Sequence, residues 1–248
     1  MPTAAPSVSI VLPIYNEAEN LAELIGEINQ AMAGTGSTYE ILCVDDASKD
    51  GSMAALKAVA LRTPQIRILR HRVNSGQSAA VATGFAHARG DTVITMDADR
   101  QNDPADLPSY LAALQPGVDC VCGIRRKRQD SVAKRYGSRI ANRFRNWITG
   151  ESIRDAGCGF RAMRRTALHE IPVFNGMHRF VPTLMRAQGY CVIEIEINHR
   201  PRTRGKSKYG INDRLWRGIR DCFAMRWYRC RAVPGERFLG EEPPAGGA

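Results

Sequence analysis

Apolar, strand-like segments alternate with helical patterns through the first half of the chain, and this alternation restricts the fold more than any other feature. The apolar segments, rich in Val, Ile and Leu, lie at 7–12, 39–44, 66–69, 91–96 and 118–124. Helical patterns lie at 16–32, 78–88 and 105–114, and a turn at 48–52 leads into another helix. Because strand and helix alternate with short connections, the pattern predicts an α/β fold with a mostly parallel central sheet and helices on both faces.

The second half of the chain has a less regular pattern. It predicts helices at 132–148, 180–188 and 211–228, a strand with one wet face at 191–198, and a loop or short strand at 155–161. No internal repeat and no linker between independent domains is visible in the sequence, so the chain is expected to form one core.

Polar side chains collect where three of the predicted strands end. These residues are Pro13, Tyr15 and Glu17 after the first strand, Asp45 and Asp46 after the second, and Asp97 and Asp99 after the fourth. In parallel sheets, ligands bind beyond the carboxyl ends of the strands. We therefore expect the three clusters to meet along one edge and to form a ligand site.

Asp97 and Asp99 stand one residue apart at the end of an apolar run. In a strand, alternate side chains project to the same face, so both carboxylates are expected to aim at one spot. Two carboxylates at one spot repel unless a cation lies between them, and open sets of hard oxygen ligands suit Mg²⁺ or Mn²⁺. The alternative is a solvated pair that opens a loop beside Asp103.

Charge and cysteine content restrict the partners and the compartment. The formal net charge of +10 favours anionic partners such as phosphates, nucleic acid or an anionic membrane surface. Seven cysteines, an odd number without framework spacing, indicate a reducing compartment. Neither a signal peptide nor an apolar run of membrane-spanning length is apparent. Nucleic-acid binding is disfavoured, because no zinc-finger spacing or recognition helix is evident and the carboxylate edge would repel it.

Six segments together resemble glycosyltransferase family 2, of the GT-A nucleotide-diphospho-sugar transferase fold. They are VLPIYNE at 11–17, VDDAS at 44–48, NSGQ at 74–77, DADRQ at 97–101, DAGCGFR at 155–161 and RTRGKSKY at 202–209. Within the family the chain is most similar to the polyprenyl-phosphate glycosyltransferases, which include the dolichyl-phosphate mannose synthases. Arg100 departs from the pattern, because relatives often carry an apolar residue there, and it would alter the charge of the donor pocket.

The resemblance implies an inverting, metal-dependent transfer of a hexose, mannose or glucose, from a GDP or UDP donor to dolichyl or undecaprenyl phosphate. The implied donor-binding residues are Pro13, Tyr15, Glu17, Asp46, Gln77, Asp97, Ala98, Asp99, Arg202 and Lys208. Asp97, Asp99 and Gln101 would hold Mg²⁺ or Mn²⁺ on the donor diphosphate. Asp97 and Asp99, with Asp155, make up the predicted catalytic set.

The acceptor side follows from the same resemblance. Arg125, Ser138, Arg139 and Asn142 match the segment that binds the acceptor phosphate. A phosphate oxygen is already anionic near neutral pH, so it needs positive charge to orient it more than a strong base. The alternative for Arg125 is a solvated charge run at 125–128. Asp155 matches a base or sugar-orienting carboxylate, and its alternative is a turn former before a Gly-rich stretch.

The expected organisation is a disordered start at 1–6, a GT-A catalytic domain at 7–210, an amphipathic basic helix at 211–231 and a flexible tail at 232–248. One side of that helix carries Leu215, Trp216, Ile219, Cys222, Phe223 and Trp227. It would bind an anionic membrane surface or a small membrane subunit at the cytoplasmic face, or pack on the catalytic domain. A family member with a saccharide or protein acceptor is the main alternative function.

Overall fold

The computed structural model describes residues 5–125, 142–201 and 211–232, with the backbone alone at 211–217. Its strands are β1 (Val8–Ile14), β2 (Tyr39–Asp45), β3 (Ile66–Arg70), β4 (Thr92–Thr95), β5 (Cys120–Arg125), β6 (Arg161–Arg164) and β7 (Val192–Ile197). Its α-helices are α1 (Ala18–Ala33), α2 (Ser52–Ala60), α3 (Gln77–His87), α4 (Leu107–Ala113), α5 (142–149), α6 (Val181–Ala187) and α7 (Ile211–Arg231). Short 3₁₀ helices lie at Pro104–Asp106, Arg165–Leu168 and Met177–Arg179.

One seven-stranded sheet, in the order β3-β2-β1-β4-β6-β5-β7, forms the centre of the molecule. β6 runs antiparallel to both of its neighbours, and the other pairings are parallel. The predicted α/β architecture with a mostly parallel sheet is confirmed. β6 was not predicted as a strand, because it is four residues long and has an arginine at each end.

Each face of the sheet buries its own apolar layer. Ile10 and Leu12 of β1 pack in one layer with Leu24 of α1, whereas Val11 packs in the other with Val81 of α3. Because the central strands are covered on both sides, they are apolar throughout instead of alternating. On α1, the predicted spacing is observed, with Leu21, Leu24, Ile25, Ile28 and Met32 all buried.

β4 ends at Thr95, so Asp97 and Asp99 lie in the turn that follows the strand and not in the strand itself. The expected strand geometry is therefore wrong at these two residues. The alternation nevertheless continues in the turn, because Met96 and Ala98 are buried in the core while Asp97 and Asp99 are half-buried. Met96 and Ala98 anchor the turn in the core. The carboxylates of Asp97 and Asp99 are partly exposed at its surface.

α7 forms as predicted and packs on the catalytic domain. Cys222 and Met225 are buried in the same apolar layer as Met185 of α6, and the Tyr228 hydroxyl accepts a hydrogen bond from Gln188 Nε2 at 2.6 Å. The placement of Cys222 on a membrane-facing side was therefore wrong, while Leu215 and Trp216 lie outside the described side chains. In the part of the chain that the structure describes, no helix has the length and apolar character needed to cross a bilayer.

Candidate active site

The loops after β1, β2 and β4 meet at the carboxyl edge of the sheet, and each holds a strained residue. Asn16, Ala47 and Arg100 have φ values of 54°, 55° and 61°. Non-glycine residues seldom adopt this left-handed conformation, and it costs on the order of 1 kcal/mol or more unless the surroundings hold it in place. Their clustering at one edge marks the region where the chain is shaped for binding.

The Tyr15–Glu17 segment is tied to the loop that follows β2. The backbone N–H of Asn16 donates to Ser48 Oγ at 3.0 Å, and its side-chain Oδ1 accepts from the N–H of Lys49 at 2.8 Å. The N–H of Glu17 donates to Ser52 Oγ at 2.9 Å. These bonds stabilise the left-handed turn at Asn16 and leave Pro13, Tyr15 and Glu17 half-buried at the edge.

Asp46 is buried and shapes the loop that precedes α3. Its Oδ1 accepts the N–H of Ser75 at 2.8 Å and contacts His71 Nδ1 at 2.7 Å, and its Oδ2 accepts the N–H of Gly76 at 2.8 Å. The φ of 87° at Gly76 suits glycine, which lacks a Cβ. Both oxygens of the Asp46 carboxylate therefore already have partners within the protein. The predicted contact of Asp46 with a nucleoside stays a prediction.

The Asp97 carboxylate lies between two segments that are distant in sequence. Gln77, the first residue of α3, donates from Nε2 to Asp97 Oδ1 at 2.8 Å. A Cβ built on Gly159 would stand 3.0 Å from Asp97 Oδ2, so the backbone there closely approaches the carboxylate. Both residues were predicted to bind the donor, and the structure brings their side chains into contact.

The residues after β4 fit a hard divalent cation. Asp99 Oδ1 accepts the N–H of Gln101 at 3.1 Å, and the side chains of Asp97, Asp99 and Gln101 are all half-buried. Among the described residues, no group of three or more His, Cys, Asp or Glu side chains forms an all-protein metal cage. Mg²⁺ and Mn²⁺ do not require one, because one or two carboxylates, waters and substrate phosphates complete their coordination.

Arg125 and Asp155 form a two-pronged ion pair beside this turn. Nε donates to Oδ2 at 2.7 Å and one Nη donates to Oδ1 at 2.7 Å, with 13% of the Arg125 side chain and 7% of the Asp155 side chain exposed. The reading of Arg125 as part of a solvated charge run is wrong. Its predicted contact with an acceptor phosphate stays a prediction, and in this structure the guanidinium pairs with Asp155.

The 155–159 loop connects the ion pair to the turn that contains Asp97. A Cβ on Gly157 would stand 3.1 Å from an Nη of Arg125, while Gly159 adjoins Asp97. The hydroxyl of Thr95, the last residue of β4, donates to the carbonyl oxygen of Gly159 at 2.7 Å. Asp97 and Asp155 therefore belong to one connected site.

Arg161 is a site residue for which the sequence analysis predicted no role. It is 4% exposed, donates from Nη1 to the His178 carbonyl oxygen at 2.5 Å, and lines a small cavity together with Gln77 and Asp97. Its Nε is buried and has no hydrogen-bond partner among the described residues. The signal was present, since Arg161 closes the segment DAGCGFR, but the buried position could not be read from the sequence.

The remaining predicted residues are placed as follows. The charge of Arg100 is compensated by Glu23 and Glu27 of α1, at 2.5 and 2.7 Å, so it does not add net charge to the donor pocket. Asn142 Nδ2 donates to the carbonyl oxygen of Arg154 at 2.9 Å, and Ala98 is buried. The predicted residues Ser138, Arg139, Arg202 and Lys208 lie outside the described residues.

Comparison with known sequences gives a consistent family match. Residues 9–172 match the model of Glycosyl transferase family 2. Similar proteins include the undecaprenyl-phosphate 4-deoxy-4-formamido-L-arabinose transferases of Shewanella sediminis (strain HAW-EB3), 38% identical, and of Edwardsiella ictaluri (strain 93-146), 39% identical, each over 206 residues. The matches cover 82% of this chain but only 62% and 63% of the relatives, so the chain spans less than two thirds of their length.

Solved structures share the fold at low sequence identity. Glucosyl-3-phosphoglycerate synthase from Mycobacterium tuberculosis, in complex with Mn²⁺, UDP and phosphoglyceric acid, superposes with a TM-score of 0.69 at 19% identity, over 94% of this chain and 81% of that one. A mannosyltransferase from Pyrobaculum calidifontis, in complex with GDP-Man and Mn²⁺, gives 0.62 at 21% identity, over 98% of this chain and 67% of that one. These likenesses confirm the predicted GT-A fold.

Proposed function

The chain belongs to glycosyl transferase family 2, and from this premise we propose that it transfers a sugar from a nucleotide-diphosphate donor to a polyprenyl phosphate. One observation carries the proposal. The Asp97 carboxylate accepts a hydrogen bond from Gln77 at the carboxyl edge and lies close to the backbone at Gly159, and the loop that contains Gly159 leads to the buried pair of Arg125 and Asp155. A cation-binding carboxylate beside an orienting ion pair suits displacement of a diphosphate by an anionic nucleophile.

The donor half of the proposal rests on the loops after β1, β2 and β4. Tyr15 offers a ring face and Glu17 a carboxylate acceptor, the groups that suit a base and a ribose. Asp97, Asp99 and Gln101 would hold Mg²⁺ or Mn²⁺, which would supply positive charge to the departing nucleotide diphosphate. Gln77 orients Asp97 for that role, and Arg202 and Lys208 are proposed to contact the diphosphate.

The acceptor half requires orientation more than proton transfer. A phosphate monoester oxygen attacks the anomeric carbon from the side opposite the diphosphate, which inverts the configuration there. We assign Asp155 the role of orienting the reacting sugar, and Arg125 the role of fixing the Asp155 carboxylate. Ser138, Arg139 and Asn142 remain the proposed contacts to the acceptor phosphate.

The names of the relatives bear on both substrates. Both relatives carry names that specify undecaprenyl phosphate, which supports a polyprenyl acceptor over a saccharide or protein acceptor. Those names specify a 4-deoxy-4-formamido-L-arabinose, a modified pentose, whereas the sequence led us to expect mannose or glucose. The relatives' sugar is therefore the first donor to test, followed by GDP-mannose and UDP-glucose.

The acceptor also determines where such an enzyme works. A polyprenyl phosphate is held in a bilayer, so we propose that the protein works peripherally at the cytoplasmic face. Direct contact with the lipid surface and attachment to a small membrane subunit are the two ways in which this position is reached.

A transfer assay tests the proposal. Labelled nucleotide sugar is incubated with undecaprenyl phosphate and Mg²⁺ or Mn²⁺, and labelled lipid is extracted and counted. Asp97→Asn should lower the rate at least about 100-fold, because it removes charge from the cation site, and EDTA should do the same to the unmodified protein. The matched control is Asp91→Asn, which changes an exposed carboxylate just before the same strand.

Two outcomes would contradict the proposal. Full activity of Asp97→Asn in EDTA would remove the metal-dependent mechanism. Transfer from the same donors to a saccharide or a protein, with none to the lipid phosphate, would establish the alternative acceptor class within the family.

A further inference from the structure

Four large aromatic side chains are exposed on two helices of the domain. Trp147 is 75% exposed, Trp227 65%, Phe223 58% and Phe144 40%. Scattered apolar residues on a protein surface are ordinary, but several exposed aromatic residues on neighbouring elements mark a contact surface. Phe144 and Trp147 lie on α5, and Phe223 and Trp227 lie on α7.

The two helices are packed against each other. Ile148 of α5 is buried in the same apolar layer as Cys222 and Met225 of α7. Across the contact, Arg226 Nη1 donates to the carbonyl oxygen of Ile148 at 3.3 Å, and Arg229 Nε lies 3.7 Å from Glu151 Oε1. The C-terminal end of α5 therefore adjoins the second half of α7.

Phe223 and Trp227 lie on the exposed side of α7. Tyr228 bonds Gln188 on one flank of the helix, and Arg226 reaches α5 on the opposite flank. At about 100° per residue, Phe223 and Trp227 lie about 100° and about 140° around the helix from the buried Cys222, so both project toward solvent.

The aromatic residues of α5 are exposed as well. Asn142 and Asn146 bond the carbonyl oxygens of Arg154 and Ile153 on one flank of α5. Phe144 and Trp147 lie on the other flank, with ring centroids 6.3 Å apart. Because the exposed sides of two adjoining helices carry these residues, we treat them as one surface, which we call the aromatic face and define by Phe144, Trp147, Phe223 and Trp227.

Positive charge surrounds the aromatic face. Arg143 on α5 and Arg220, Arg226 and Arg231 on α7 are exposed. Glu151 does not balance them at the surface, because its side chain is 2% exposed and pairs with Arg186 and Arg229. Exposed Trp and Phe bordered by arginines is the composition of helices that lie in the interface of anionic membranes.

We propose that the aromatic face is the docking surface for an anionic phospholipid bilayer. This inference rests on the proposed function, which requires a lipid acceptor, and it names the surface by which the protein reaches that acceptor. It also differs from the sequence expectation of a single C-terminal helix, because α5 supplies half of the face. In the sequence, α5 follows the segment that contains the proposed acceptor contacts Ser138 and Arg139.

Vesicle co-sedimentation of the full chain tests the proposal. The unmodified protein should bind vesicles of phosphatidylcholine mixed with phosphatidylglycerol, bind pure phosphatidylcholine weakly, and dissociate as salt rises. Trp147→Ser with Trp227→Ser should lower partitioning about tenfold or more. The control is Leu61→Ser with Val173→Ser, which removes two exposed apolar side chains elsewhere and should change nothing. Equal binding by the aromatic variant and the unmodified protein would overturn the proposal.

Fluorescence supplies a second measurement that does not depend on loss of binding. A variant with Trp216→Phe and Trp227→Phe retains Trp147 as its only tryptophan. Its emission should shift to the blue on anionic vesicles and be quenched by lipids brominated on their acyl chains. An unshifted, unquenched emission from bound protein would show that α5 does not enter the interface, which overturns the two-helix face.

Activity on a short-chain, water-soluble polyprenyl phosphate separates this inference from the proposed function. Without vesicles, the aromatic variant should transfer sugar at the rate of the unmodified protein. Vesicle binding without transfer to any polyprenyl phosphate would contradict the proposed function but not the proposed docking surface. Transfer without vesicle binding would end the docking surface alone, as would a dimer in solution that the aromatic variant dissociates.

Discussion

At the scale of single residues, Arg125 and Asp155 have the most consequential contact in the site. Their two-pronged pair is nearly buried and adjoins Gly157 in the loop that leads to Asp97. A buried charge that loses its partner is costly, whereas neutralising both partners removes that cost. Substituting one or both residues of the pair therefore distinguishes its effect on stability from its effect on activity.

Arg125→Gln alone should lower the free energy of unfolding by about 3 kcal/mol, because it removes the Arg125 cation from the buried Asp155 carboxylate. Arg125→Gln with Asp155→Asn should regain most of that stability yet stay inactive, because the orienting carboxylate is gone. Urea unfolding and the transfer assay measure the two effects. A double variant as active as the unmodified protein would exclude Asp155 from the mechanism.

Glu40 gives the molecule a specific dependence on acid. Burial raises the pKa of its carboxyl, but hydrogen bonds from Ser9, Arg67 and the N–H of Arg89 outweigh burial and hold the pKa below its ordinary value. A carboxyl with a lowered pKa in the folded state stabilises the fold above its unfolded pKa. That stabilisation is lost as the pH falls through the folded pKa.

We expect Glu40→Gln to be less stable than the unmodified protein at neutral pH, with the difference narrowing as the pH falls below about 4. Urea midpoints measured across this range compare the two proteins, and the exposed Glu170→Gln serves as the control. A difference that stays constant with pH would show that the Glu40 contacts act as neutral hydrogen bonds.

At the scale of elements, α3 packs closely against β1 at Gly84. A Cβ on Gly84 would lie 2.2 Å from a methyl carbon of Val11, so only glycine fits at this crossing of α3 and β1. Gly26, exposed in α1, has nothing within 4 Å of the same position. The two glycines lie in helices and differ in their surroundings.

Substitution by alanine should therefore act in opposite directions at these two positions. Gly84→Ala should destabilise by about 1–3 kcal/mol through overpacking, whereas Gly26→Ala should stabilise by about 0.5–1 kcal/mol through helix propensity. Thermal unfolding of both variants gives the comparison. Stabilisation by Gly84→Ala would mean that α3 can move away from the sheet without cost.

Elements with a long, regular pattern were the ones that the sequence predicted well. α1 and the strands β1 and β2 have local signals, because their side-chain spacing reflects the face they bury. β6 was missed because its place depends on pairing with β4 and β5 and not on its own four residues. The end of β4 was predicted one residue too late, at 96 instead of Thr95, since the turn that stops the strand is held by tertiary contacts.

The site was predictable in its residue types and much less so in its pairings. The family motifs identified Gln77, Asp97 and Asp155 as candidate site residues, and the structure brings the first two into contact. The motifs gave Arg125 and Asp155 separate roles, because two residues 30 positions apart carry no local sign that they bond each other. Arg161 was passed over because burial is a property of the fold.

At the scale of the whole molecule, the exposure of the cysteine thiols shows how tightly the apolar layers on the two faces of the sheet are packed. All seven cysteines are unpaired, and of these Cys191 and Cys230 are exposed while the other five are buried. Burial raises the pKa of Cys43 and of Cys158 to about 12, which further suppresses their reactivity.

A thiol reagent at neutral pH should therefore modify two cysteines rapidly in the folded protein and all seven after denaturation. Absorbance at saturation gives the number, and mass spectrometry of digested protein identifies the sites. Rapid modification of Cys120 or Cys122, which are buried 3.6 Å apart in β5, would show that the sheet opens at that strand.

The strand order has a consequence for how the protein is made. β4 pairs with β1, the first strand, and its other side stays open until β6 has left the ribosome, because β6 lies between β4 and β5. A nascent chain thus carries an unpaired, apolar strand edge while roughly another 70 residues are added, which is a template for aggregation. Synthesis of this protein should depend on chaperones during that interval, and fragments that stop before Arg161 should be insoluble.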